Sequence, residues 1–322
     1  MKVPVAEPDI TKADMAEVVK LLNSGWVSGI SPAVKEFERK FAEAHDCSFG
    51  VATGSGTSAL HLAMAALGIK EDDEVIMPDF TMIACPNAVS YLGAKPVFVD
   101  AHPKSWCIDT SKIKEKITDK TKAIMPVHIY GHPADIKEIV NLATKHDLLV
   151  IEDCAEAHGA EIGGCKVGSF GNCGCFSLYA NKIVTTGEGG MIVTNHHKLA
   201  EQMHWLRAHA FGKHGKHYWH EQIAYGYRMG GLQAALGLSQ LQRLDQYVAL
   251  HRRNAQLYMN LLRGLERSNK IVFPVQKLGT KNVYWMFSIL INEESFGMSR
   301  NALISKLAED GIETRTMFYP MH

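Results

Sequence analysis

The sequence predicts an α/β fold, a mainly parallel sheet flanked by helices with a smaller C-terminal α+β domain, and three observations predict it. Short β-branched runs alternate with helix-spaced stretches from about residue 50; the period then changes to one long helical stretch at 234–265; and 322 residues exceed what one small domain needs. In order, the strand-like runs are Glu74–Pro78, Pro96–Asp100, Ala123–Val127 and Leu148–Asp153, and the third leads to the helical pattern Asp135–His146. Strands joined through helices of that length need right-handed crossovers, which make them parallel. A further strand is expected over Met191–Asn195. The Leu-, Gln- and Arg-rich stretch 234–265 reads as a helix crossing between a large domain, 1–240, and a small one, 241–322. The small domain is expected to open with a strand over Val283–Ile291 and a helix over Arg300–Glu309. It then stops at Tyr319-Pro-Met-His322 with no helix to close it, which reads as a truncated end.

Composition excludes several classes of partner. Lys+Arg and Asp+Glu both number 34, so no broad field favours nucleic acid or an anionic membrane surface, and an anionic ligand has to be met by a local site. Seven scattered cysteines and no apolar leader predict a reduced, cytoplasmic protein. Cys173-Gly-Cys175 lacks the spacing and the second pair of a zinc site, so no metal is expected. No run approaches the ~20 apolar residues that cross a bilayer.

Three stretches carry chemistry. Thr53-Gly-Ser-Gly56-Thr57-Ser58 runs directly into the helical pattern Ala59–Ala66. Small residues before a helix N-terminus let free N–H groups and the helix dipole face an anion. A Gly/Ser turn that merely caps the helix has the same composition, and on these residues both readings stand. Asp153 closes the apolar run Leu148–Ile151, at the strand end where ligands of open parallel sheets gather. Its carboxylate suits either a protonated ring nitrogen or a helix cap, and Glu156 and His158 follow on the same stretch. Lys182 lies between two strand-like stretches in Cys175-Phe-Ser177-Leu-Tyr-Ala-Asn-Lys182-Ile-Val-Thr-Thr-Gly-Glu-Gly-Gly190. An amine in such a turn is placed to bond covalently to a carbonyl and then to act as a base, with Ser177 as a phosphate donor; a lone loop lysine is otherwise a solvated surface residue.

Together these residues resemble the sugar aminotransferase family related to DegT and StrS, within the aspartate-aminotransferase fold type. The similarity extends from Ile30–Glu38 through Pro96–Asp100 and Asp153–Gly159 to Arg228–Gly237 and Thr314–His322. It implies a pyridoxal 5'-phosphate (PLP) enzyme with Lys182 as cofactor attachment point and proton carrier and Asp153 as partner of the pyridine nitrogen. It further implies phosphate contacts from Thr57, Ser58 and Ser177 beside Gly56, a ring contact from Glu156, and a substrate contact from His322. L-glutamate and a nucleotide-linked 4-keto-6-deoxy sugar are the implied substrates, and a homodimer with shared active sites is the implied assembly. The narrower pattern Tyr179–Met191 with Tyr218-Trp-His220 points to GDP-4-keto-6-deoxy-mannose, with dTDP- and UDP-ketosugars as alternatives.

Two positions depart from the family pattern: Gly226 stands where an Asn reaches a neighbouring subunit's phosphate, and Met82 where an aromatic ring covers the cofactor. They raise the alternative of a non-catalytic paralogue. A PLP-dependent sugar dehydratase, the other alternative, places His at the Lys182 position.

Overall fold

The computed structural model describes residues 2–212 and 218–321. Two helices come first, α1 (Lys12–Ser24) and α2 (Pro32–Ala44). Thr11 and Asp14 close a reciprocal capping box at the first, and Ser31 caps the second ahead of Pro32, so each start is set by its own short polar residues. β1 (Phe49–Thr53) leads into α3 (Gly56–Ala66), and β2 (Glu74–Pro78) into α4 (Ala84–Ser90). β3 (Lys95–Val99), β4 (Thr121–Ile124), α5 (Ile136–Lys145) and β5 (Leu149–Asp153) follow. Next come the two-residue strands β6 (Glu161–Ile162) and β7 (Cys165–Lys166), then β8 (Cys173–Ser177), β9 (Gly190–Thr194) and α6 (His197–Leu206).

The large sheet has seven strands in the order β1-β9-β8-β5-β4-β2-β3. All pairings are parallel except those of β9, which runs antiparallel to both β8 and β1. The expected parallel α/β sheet is therefore present, and its C-terminal edge carries the ends of β1, β2, β5 and β8. Phe41 of α2 packs edge-on against both Phe37 of the same helix and Phe176 of β8 in a fully buried aromatic group, and Leu62 and Met64 of α3 and Ile76, Met77 and Ile124 of the sheet belong to the same core.

Two expectations need correction. The stretch 234–265 is not one helix: α7 (Gly231–Leu241) and α8 (Leu244–Arg267) are separated at Gln242–Arg243. The Arg243 guanidinium binds both oxygens of the buried Asp14, at 3.0 and 2.7 Å, and the Tyr247 hydroxyl, which anchors the break to α1. Nor is Val283–Ile291 a strand. Only Leu290–Ile291 pairs, as β12 with β10 (Ile271–Val272), while Tyr284 sits at φ 48° and turns the buried side chain of Trp285 inward. A short β11 (Thr280–Lys281) pairs with β6, followed later by the four-residue α9 (Glu293–Phe296). The helix expected over Arg300–Glu309 is α10, capped by Ser299. The N-terminal segment joins this region through reciprocal bonds of Val3 with Gly311 and Glu313.

Candidate active site

The C-terminal edge of the sheet gathers the predicted residues from separate elements. Asp153 is the last residue of β5 and Ser177 the last of β8. Gly56 opens α3 directly against Ser177: a Cβ added at Gly56 would come within 2.8 Å of the Ser177 Cβ, so only glycine lets helix and strand end approach this closely. Ser55 caps α3, and the Ser58 hydroxyl completes the capping box by accepting from the Ser55 N–H at 3.0 Å, while donating to the Ser55 carbonyl at 2.8 Å. The capping role and the anion-facing helix end thus coexist, because Gly56 and Thr57 occupy first-turn positions whose N–H groups have no helical acceptor.

Lys182 lies on the turn joining antiparallel β8 and β9. The turn is closed by Leu178, whose N–H donates to the Gly189 carbonyl and whose carbonyl accepts from Thr186 N–H and the Thr185 hydroxyl. The Thr186 hydroxyl and Gly187 N–H complete the lock, which accounts for the Thr-Thr-Gly-Glu-Gly-Gly run: hydroxyls brace the turn, Gly187 takes φ 79°, and a Cβ at Gly190 would strike the Ser55 carbonyl at 2.2 Å. Ile183 and Val184 bury alongside and anchor the segment.

The Lys182 side chain is only 10 % exposed. Its ammonium lies 3.9 Å from Glu156 Oε1 and 3.8 Å from the centroid of the Trp285 ring, and its pKa is lowered, chiefly by desolvation, against the opposing carboxylates of Glu156 and Asp153. Glu156 is pushed up to about 7 by burial, opposed by Lys182 and by the Tyr130 N–H that donates to its Oε2 at 2.7 Å. Asp153 accepts from Ala155 N–H at Oδ1 and from the Cys85 thiol at Oδ2, both at 2.9 Å. Lys182, Glu156 and Asp153 are thus within electrostatic reach of one another. Met82 sits just before α4, 46 % exposed, with its sulfur accepting from Ala84 N–H. His158 lies behind the site, wholly buried against Phe41, His45 and Phe176 and within electrostatic reach of Lys182. His322 lies outside the described residues.

Trp285 and Tyr130 of this cleft had no legible signal. Trp285 fixes its indole by donating to the Asn181 carbonyl at 2.7 Å, Tyr130 adopts φ 50° and stacks on it, and Arg315 lies over both Trp285 and Phe318. The segment after α10 crosses the cleft, with Phe318 N–H donating to the Tyr130 hydroxyl and Met321 N–H to the Asp79 carbonyl. Only the run Thr314–His322 marked this segment in the sequence; Trp285 was hidden in the supposed strand.

Segment 224–229 is packed on its own subunit. Gly54 N–H donates to the Tyr227 carbonyl, Tyr225 and Tyr227 stack, and the Tyr227 hydroxyl meets His61. A Cβ at Gly226 would reach 3.0 Å from the His209 ring. Of the preceding aromatic stretch, Lys213–His217 lies outside the described residues, and Tyr218 and Trp219 are 79 % and 57 % exposed.

These residues fit PLP: a glycine-tight cradle at a helix N-terminus for the phosphate, a buried amine of lowered pKa for the aldehyde, and a held carboxylate for the ring nitrogen. The comparisons agree. The DegT/DnrJ/EryC1/StrS aminotransferase family model matches residues 8–322. The GDP-perosamine synthase of Escherichia coli O157:H7 is 43 % identical over 99 % of this chain and 85 % of its own length, and that of Caulobacter vibrioides is 41 % identical over 100 % and 85 %. The X-ray structure of an aminotransferase from Psychrobacter cryohalolentis, 33 % identical, superposes with a TM-score of 0.91 over 97 % of this chain and 83 % of that one. The chain belongs to the DegT/DnrJ/EryC1/StrS aminotransferase family and is a PLP-dependent sugar aminotransferase.

Proposed function

We propose that the enzyme moves the amino group of L-glutamate to GDP-4-keto-6-deoxy-mannose, giving GDP-perosamine, with Lys182 and Asp153 as its catalytic residues. The observation that carries the site assignment is the buried Lys182 amine flanked by Glu156 and by Asp153 at the end of β5. The substrate reading rests on full-length similarity to GDP-perosamine synthases. PLP, when bound, supplies an aldehyde that accepts the amino group and a ring that draws electrons from the reacting carbon.

The chain's own residues supply the rest. Lys182 Nζ anchors the cofactor and, once freed, moves the proton at the substrate carbon; its lowered pKa leaves a larger neutral fraction near neutral pH than a surface lysine has. Asp153 holds a proton on the ring nitrogen, and Glu156, poised near 7, exchanges a proton beside the amine. The α3 N-terminus with Gly56, Thr57, Ser58 and Ser177 would hold the phosphate, and the Met82 thioether would cover the ring. Trp285 and the segment 315–321 narrow the cleft against water. Residues 1–240 act as the cofactor domain and 241–322 as the closing domain.

A homodimer is part of this reading, supported by the exposed apolar side chains of Trp26, Ile30, Tyr91, Tyr218, Trp219 and Ile223. A monomer of the PLP-loaded enzyme in sedimentation at micromolar concentration would contradict it. The function is tested with glutamate and a panel of GDP-, dTDP- and UDP-linked ketosugars, read by mass spectrometry. An aminated product from the GDP-linked 4-keto sugar is expected; amination confined to another nucleotide would overturn the substrate, and none at all the function.

A further inference from the structure

Asp153 is held from two sides by groups of different character. The Ala155 N–H contact at Oδ1 is local, two residues along the chain, and restrains only one of the two oxygens. The second contact comes from a different element: Cys85, in the first turn of α4, donates its thiol to Oδ2 at 2.9 Å. Cys85 Sγ in turn lies 3.2 Å from the Thr81 hydroxyl. With the thiol proton directed at a carboxylate, which only accepts, the Thr81 hydroxyl is left as the donor to sulfur. Thr81 and Cys85 are wholly buried and Asp153 nearly so, so water does not compete for any of these bonds.

We infer that Cys85 is a positioning residue for the reaction, fixing the rotation of the Asp153 carboxylate through a Thr81–Cys85–Asp153 relay. The inference rests on Asp153 being the partner of the cofactor ring nitrogen. A thiol is a weak donor. A hydroxyl at the same place would orient the carboxylate equally well but withdraw more of its charge, and a methyl group would leave Oδ2 without this donor. Burial beside two carboxylates holds the thiol pKa well above its ordinary value, so the proton stays on sulfur across the working pH range.

The test compares wild type with Cys85→Ala, Cys85→Ser, Thr81→Val and Asp153→Asn. In cofactor-free protein the infrared difference between wild type and Cys85→Ser isolates the Cys85 S–H stretch. It is expected at lower frequency than a free thiol, and shifted back in Asp153→Asn. In the loaded enzyme, the nitrogen NMR signal of ring-labelled PLP reports protonation at the ring. Cys85→Ala is expected to lower the ring-nitrogen pKa and to cut kcat by about tenfold with KM for glutamate unchanged. Cys85→Ser should recover most of kcat, and Thr81→Val should shift the S–H band with a smaller loss. A free-thiol S–H band, or Cys85→Ala with wild-type ring signal and kcat while Asp153→Asn is impaired, overturns the inference alone. Cys85→Ser no better than Cys85→Ala assigns the effect to volume and overturns it likewise. If Asp153→Asn also leaves the ring signal unchanged, the role of Asp153 falls and the relay's function with it.

Discussion

The chemistry at the residue scale turns on two groups whose environments push them toward each other in pKa. Burial lowers Lys182 and raises Glu156 to about 7, and each charge partly restores the other. Glu156→Gln removes the carboxylate that holds the ammonium charged, so the Lys182 pKa falls further. Capture of PLP by the apo-enzyme needs the neutral amine, and its pH profile is therefore expected to shift to lower pH in Glu156→Gln. The capture rate measured by stopped-flow absorbance from pH 6 to 10 checks this; a midpoint unchanged or moved upward would contradict the assigned pair. Lys182 and Asp153 were legible because a strand end and a glycine-rich turn leave marks in sequence. Trp285 and Cys85 were not, because they join the site through tertiary packing and, before Trp285, through the left-handed backbone of Tyr284.

Among the elements, the close approach of α3 to the end of β8 decides whether a phosphate can be held. Gly56→Ala places a Cβ 2.8 Å from the Ser177 Cβ, and neither backbone can yield cheaply because Ser55 caps the helix and Gly190 abuts it. The helix N-terminus is expected to move out, weakening PLP binding about tenfold, equivalent to ~1.4 kcal/mol. Fluorescence titration of the apo-enzyme with PLP measures this, and wild-type affinity would mean that the cradle is not the phosphate site. Strands β2 to β5, β9 and α10 were readable from the sequence pattern, whereas β1, which pairs with β9 at the sheet edge, was not. The α7–α8 break was not, because it is made by Arg243 reaching Asp14, more than two hundred residues earlier, a contact without any local signature. Val283–Ile291 misled for a related reason: its aromatic, β-branched composition serves burial against the cleft and not strand pairing.

At the scale of the whole molecule, stability is linked to pH through buried histidines. Burial depresses His45 and His132 from 6.5 to about 4, and His45 donates its Nδ1 proton to the Phe41 carbonyl in its neutral form. A depressed folded-state pKa gives stability that is present above 6.5 and lost as pH falls through about 4, by about 3 kcal/mol for a shift of this size. The apo-enzyme's melting temperature is thus expected to fall across that window, and His45→Phe, which keeps a ring against Phe41, should flatten the fall. Equal slopes in wild type and variant would remove His45 from the account. The central claim, that this is a PLP aminotransferase working through Lys182, is tested most directly by borohydride reduction of the PLP-loaded enzyme followed by proteolysis and peptide mass spectrometry. The cofactor mass is predicted on the peptide containing Lys182, with Lys182→Ala carrying none and yielding no aminated sugar. Cofactor trapped on a different lysine, or amination surviving in Lys182→Ala, would contradict it.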